Sequence, residues 1–232
     1  AQDYDMVKWA VGVRLLNTTG QTIETAISNG EVIRTHLLRP TWHLVSADDI
    51  SWILELTAPK IKNSLKSRHR ELELSEAVFS KSNGIIEKAL EGGEHLTRQA
   101  LIVEFEKAGI ATTDNRASHL LLRAELDGIV CSGASRGGKQ TYALLEERVP
   151  KTKPLTKVEA LAKLARKYFA SHYPATIQDF IWWSGLSVGN ANQALEIIKS
   201  DFTSETFASQ LYWFPNFSSI RGRDQESVYL LP

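Results

Sequence analysis

The residues best equipped for chemistry crowd into RTHLLRPTWHLV, residues 34–45, where arginines, histidines and threonines punctuate an apolar stretch. The alternation predicts a β-hairpin. It turns Arg34 and His36 to one face of the first strand and Thr41 and His43 to one face of the second, with Ile33, Leu37, Trp42 and Leu44 facing the other way. A merely solvated sheet would carry a blander set. A metal site would ask for more ligands in fixed geometry, so neither metal nor cofactor is expected. One use for the histidines is local: His36 and His43 can be cross-strand partners holding buried backbone groups. The other is contact with something outside the protein.

A second stretch imitates a phosphate loop. GASRGGKQ, residues 133–140, fits GxxxxGK through Gly133, Gly138 and Lys139, but Gln140 stands where a metal-binding Ser or Thr is needed. A phosphate loop must also open into a helix, whereas QTYALLEE alternates and predicts a returning strand. The stretch is therefore expected to be the tip of a wing, with Arg136 and Lys139 placed to touch a nucleic-acid backbone. His95, His119 and His172 have no companions at ligand spacing, and Cys131, the single cysteine, is expected to be a small buried hydrophobe. Trp182 and Trp183 are adjacent on a predicted helix and cannot share a face, which favours packing over base stacking.

The elements that must position these groups recur three times as helix, turn, helix and hairpin. MVKWAVGVRLL and QTIETAISN, split at Thr19-Gly20, precede the hairpin of residues 31–46. LTRQALIVEFEKAG, capped by Thr97 and stopped at Gly109, precedes NRASHLLLRAEL and the strands GIVCS and QTYALLEE. An amphipathic helix through Val158, Leu161, Leu164, Ala165, Tyr168 and Phe169 precedes PATIQDFIWWSG, VGNANQALEIIKS and a less regular strand-like LYWF. The fold class that follows is mainly α with β-hairpin wings, three tandem winged-helix units spanning residues 1–70, 71–150 and 151–232. KTKPLT (151–156) is the best linker candidate and the basic run KIKNSLKSRHR (60–70) the second.

At 232 residues and 43% apolar the chain can bury substantial cores. No run of about 18 apolar residues suggests a membrane span, and no secretory leader opens the chain, so a cytoplasmic setting is expected. The 27 basic and 27 acidic residues cancel, which excludes a global polycation. They are unevenly placed, however: five cations in residues 60–70 meet no acid until ELELSE, so a local positive stripe can persist on a neutral protein.

AQDYDMVKWAVGVRL, GEVIRTHLLRPTWHLV, GGEHLTRQAL, AELDGIVCSG, TYALLEERVP, DFIWWSGL and VYLLP follow one another in this order. In this the whole chain resembles the winged-helix family that includes the AlkZ-like and YcaQ-like DNA glycosylases. The resemblance implies tandem winged helices forming a concave DNA-binding surface, followed by a β-barrel mostly absent from this chain. Members carry a Gln-x-Gln or Gln-x-Asp motif at the catalytic centre. Ala1 matches its middle position and Gln2 its second glutamine, so the first glutamine is expected just before Ala1, in a chain trimmed at its N-terminus. Asp3 is then expected to be a helix N-cap beside the site.

The resemblance implies a repair enzyme that cleaves the N-glycosidic bond of N-alkylated purines in duplex DNA, alkylated or crosslinked, with Gln2 catalytic. It gives the hairpin its second use, with Arg34, His36, Arg39, Thr41 and His43 offered to phosphates or wedged beside the damaged step. The competing class is a non-catalytic winged-helix DNA-binding protein or transcription regulator. TIETAISN is poor in side chains that read base edges, and no sustained heptad supports dimerisation, so a monomer without sequence-specific readout is expected, nucleoid-associated in a prokaryote.

Overall fold

The structure, a computed structural model, describes residues 3–216. Gln2, the terminal VYLLP and the expected edge of a barrel lie outside the described residues. The chain divides into two compact units, residues 1–153 and 154–232. The architecture is mainly helical, with small antiparallel hairpins.

The first unit opens with α1 (Tyr4–Gly12) and α2 (Gly20–Ser28). Asp3 caps α1, its Oδ1 accepting the Met6 amide at 2.9 Å, and Thr19 caps α2 by accepting from Thr22 at 3.2 Å. The first helix stops short of the apolar period that runs on to Leu16, because Leu15 and Leu16 are exposed and bury nothing that would hold another turn. Ile23 and Ile27 on α2 are buried. Strands β1 (Val32–Leu37) and β2 (Thr41–Ser46) pair antiparallel.

Their register corrects the expected faces. Residues directly opposed in an antiparallel pair share a face, and here Arg34 opposes Leu44, His36 opposes Trp42, Thr35 opposes His43 and Leu37 opposes Thr41. Arg34 and His36 thus lie with Trp42 and Leu44, while Thr41 and His43 lie with Ile33, Thr35 and Leu37. The cause is the turn: with Leu38, Arg39 and Pro40 between the last paired residues, even positions meet even positions.

Helices α3 (Ala47–Ser64) and α4 (Lys66–Glu71) follow, so the basic run is helix rather than linker, with Ile61 and His69 buried on its inner face. Next come α5 (Glu76–Leu90), β3 (Leu96–Thr97), α6 (Arg98–Lys107), α7 (Arg116–Leu126), β4 (Val130–Ser132), β5 (Thr141–Leu144) and α8 (Leu145–Arg148). Thr97 caps α6 as expected, and strand order is β3-β5-β4. Phe79, Ile86, Leu101, Phe105, Leu120 and Leu121 form a core beneath this sheet. Cys131 is buried in β4, and burial pushes its thiol pKa up to about 12. GASRGGKQ is a hairpin tip rather than a phosphate loop. Arg136 and Lys139 exchange two backbone hydrogen bonds of 3.0 Å around Gly137 and Gly138, whose φ values of 58° and 75° suit a two-residue hairpin turn, and strand β5 follows.

The second unit contains α9 (Lys157–Phe169), α10 (Ile177–Ser184), α11 (Val188–Ile198), β6 (Phe202–Phe207) and β7 (Gln210–Pro215). Capping boxes at Thr156/Glu159 and Thr176/Asp179 start α9 and α10. The last hairpin is more regular than LYWF alone suggests, pairing six residues on each side around a two-residue turn. Trp183 packs 5.0 Å from the Tyr168 ring while Trp182 is 74% exposed, the divergence that adjacency on a helix requires. Among the described residues no helix is long and apolar enough to cross a membrane.

Candidate functional site

The first hairpin does not stand alone: β1 is seated on α7 and β4. Glu125, near the end of α7, is 1% exposed, and its Oε2 accepts from the His36 amide at 2.8 Å and the Thr35 hydroxyl at 3.2 Å. His36 Nδ1 lies 2.6 Å from the same oxygen. Oε1 is buried and has no hydrogen-bond partner among the described residues. A buried carboxyl is retained only where it meets concentrated donors, and here one oxygen gathers three of them from consecutive residues of a single strand.

Above this brace lies a stack. The His36 and Trp42 rings, opposed in register, have centroids 4.0 Å apart, and the Arg34 guanidinium lies 4.0 Å over the Trp42 ring. Arg34 is only 7% exposed. Its NH1 donates to Gln140 Oε1 at 2.6 Å and its backbone amide to Ser132 Oγ at 2.8 Å, which ties the first hairpin to the β4–β5 hairpin. Burial lowers the Arg34 pKa, opposed by the fields of Tyr142, Glu125 and Tyr4. Tyr4 enters from α1, its ring 5.7 Å from that guanidinium and its hydroxyl donating to Glu24 at 3.1 Å. Burial, with Glu24 beside it, pushes the Tyr4 pKa up to about 12. Lys8 closes the group, 3.3 Å from Glu24 and 2.9 Å from Asp5.

The other expected contacts separate from this cluster. His43, on the opposite face, donates from Nδ1 to the Thr41 carbonyl at 2.8 Å. Burial pushes its pKa down to about 4, with Arg39 and His36 adding repulsion and the backbone bond opposing, so its ring is neutral at pH 7. Arg39 lies in the turn and Thr41 begins the strand after it, both half-buried. On the β4–β5 hairpin Lys139 is exposed, and Arg136, side chain 56% exposed, lies 3.5 Å from Glu94. Among the described residues no group of three or more His, Cys, Asp or Glu side chains could hold a metal. The structure thus brings Arg34 and His36 together with the β4–β5 hairpin and α7 through Ser132, Gln140 and Glu125, which sequence reasoning missed. Glu125 had left a signal: it falls on the buried stripe of Ala117, Leu120, Leu121 and Ala124, where a charged side chain demands a partner.

A family profile described as "DNA glycosylase AlkZ-like" matches residues 1–228. The chain belongs to the AlkZ-like DNA glycosylases. The fold is similar to the DNA glycosylase AlkZ of Streptomyces sahachiroi, with a TM-score of 0.76 and 19% identity, over 93% of this chain and 61% of that one. This AlkZ-like chain therefore spans less than two thirds of the length of that structure. No curated protein sequence matches it.

Proposed function

We propose that this AlkZ-like chain hydrolyses the N-glycosidic bond of N-alkylated, cationic purines in duplex DNA. The observation that carries the reading is the family match over residues 1–228, which includes the Gln2-Asp3-Tyr4 segment leading into α1. An alkylated purine leaves already carrying positive charge, so its departure needs no strong general acid. A glutamine amide can instead hold a water beside C1′ and aim its carbonyl dipole at the developing oxocarbenium charge. Gln2 is assigned that role. Neutral lesions such as uracil fit this chemistry poorly.

In this reading the three helix–helix–hairpin repeats are winged helices, acting as a monomer on alkylated or crosslinked duplex. The two turns that carry Arg39 and Thr41, and Arg136 and Lys139, supply phosphate contacts. Arg34, His36 and His43 support them from within: Arg34 holds the hairpin to the second wing, His36 holds it to α7, and neutral His43 fixes its strand end.

Single-turnover release of 7-alkylguanine tests the assignment. Gln2→Ala is expected to slow excision by about 10–1000-fold while duplex affinity stays nearly unchanged. No abasic product from the wild-type, full-length protein across a panel of N3- and N7-alkylated purines would leave a non-catalytic winged-helix DNA-binding protein.

A further inference from the structure

We propose that the pocket between α4 and α5 is a second anion site, built to take a phosphate group apart from the hairpin. It is a cavity of about 690 Å³ within the first unit, and Lys62, Lys66, Arg70 and Arg123 line it together with Glu76 and Phe79. Lys62, Lys66 and Arg70 come from the basic run that the hairpin cluster leaves unused, and Arg123 comes from α7.

The charges around it do not cancel. Arg123 is fully engaged: it donates to both oxygens of Glu76 at 3.0 and 2.6 Å, to Asp127 at 2.9 Å, and lies 4.6 Å over the Phe79 ring. Lys62 takes the other side of Asp127 at 2.9 Å. Glu73, also on the wall, is 3.9 Å from Arg116. Each acid at the pocket therefore has its cation, and Lys66 and Arg70 are left over. Both are exposed, and among the described residues neither side chain has a hydrogen-bond or ion-pair partner.

Their spacing matters as much as their charge. Four positions apart on α4, they project from one face of the helix over the same opening. His69 between them is buried against Phe79, ring centroids 4.9 Å apart, so the helix cannot roll to carry the two cations into open solvent. Ser75, N-cap of the fifteen-residue α5, also lines the pocket and adds the positive end of that helix. Two unpaired cations held over a concave wall, with the neighbouring acids neutralised, attract a compact anion rather than a neutral ligand. An arginine beside a lysine suits phosphate oxygens, which take a forked donor and a point charge together. The phosphate can be a backbone phosphodiester of bound duplex or a free phosphate.

The test needs no excision reaction, so its outcome is independent of the glycosylase reading. Wild type, the Lys66→Ala/Arg70→Ala double variant and a charge-matched control, Lys88→Ala/Lys107→Ala, are titrated with undamaged duplex across a salt series. They are also titrated with inorganic phosphate, followed by amide NMR shifts along α4 and α5. The site variant is expected to lower the salt slope by about 2 and weaken duplex binding roughly tenfold, while the control changes little. Unchanged duplex binding with phosphate-induced shifts lost only in the site variant would support the site and assign it to free phosphate. Overturning outcomes are equal losses in the site variant and control, or no change with either ligand.

Discussion

His36 Nδ1 sits 2.6 Å from Glu125 Oε2, a contact between residues eighty-nine positions apart that joins the first hairpin to a helix of the next core. The same oxygen holds Thr35 and the His36 amide, so this one carboxyl fixes how β1 lies on α7.

Glu125→Ala strips three donors of their acceptor inside a closed contact and is expected to lower stability by about 3 kcal/mol. Glu125→Gln keeps the shape and an acceptor, so the loss should be roughly 1–2 kcal/mol. Urea unfolding of both variants checks this; equal, small effects would show that the brace is dispensable.

The Arg34–Trp42 stack should behave as a coupled pair. In a double-mutant cycle with Arg34→Lys and Trp42→Leu, the interaction is expected to be about 1–2 kcal/mol, since the lysine gives up the guanidinium over the ring as well as its hydrogen bond to Gln140. Strictly additive losses would separate the two side chains.

His43 gives the first hairpin a pH dependence whose sign follows from burial. Its folded pKa of about 4 lies below the usual value of about 6.5, so the unfolded chain binds the proton first. The stability it contributes is complete above pH 6.5, shrinks as pH falls below that, and is lost by about pH 4. Unfolding free energies from pH 8 to pH 4 should fall less in His43→Asn than in wild type. His69, His95 and His119, also shifted down by burial, act in the same direction in both proteins and cancel in the comparison.

Gly133 admits no side chain. A methyl there would collide with Thr141 Oγ1 and come within 3.1 Å of His95 Nδ1, displacing the hydrogen bonds of 2.6 and 2.9 Å that those atoms make with Ala134. Gly133→Ala is expected to cost about 1–3 kcal/mol and to raise amide exchange across residues 133–141. Wild-type exchange there would contradict it.

What the sequence disclosed was mostly local. Asp3 and Thr97 announce their helices because a cap bonds to an amide three residues away, a relationship carried within a few residues. The hairpin was legible as a hairpin, but its faces turned on whether the intervening residues were odd or even in number, a parity that alternation along each strand leaves open. KIKNSLKSRHR reads as a linker because charge dominates it; Ile61 and His69, the residues that seat it, are too sparse to form a visible period. The pairing of His36 with Glu125 was the least accessible, since nothing near either residue specifies the other.

That long separation also orders events on the ribosome. The first hairpin emerges well before its acceptor, and until α7 has followed, Thr35 and the His36 amide face water and the Arg34 guanidinium lacks Gln140. The opening helices can form early, but their hairpin cannot settle. A nascent chain arrested before residue 125 should therefore stay open to proteolysis through residues 32–46, and a chain released after residue 145 should resist it; the N-terminal part of this protein waits to be finished by sequence translated much later.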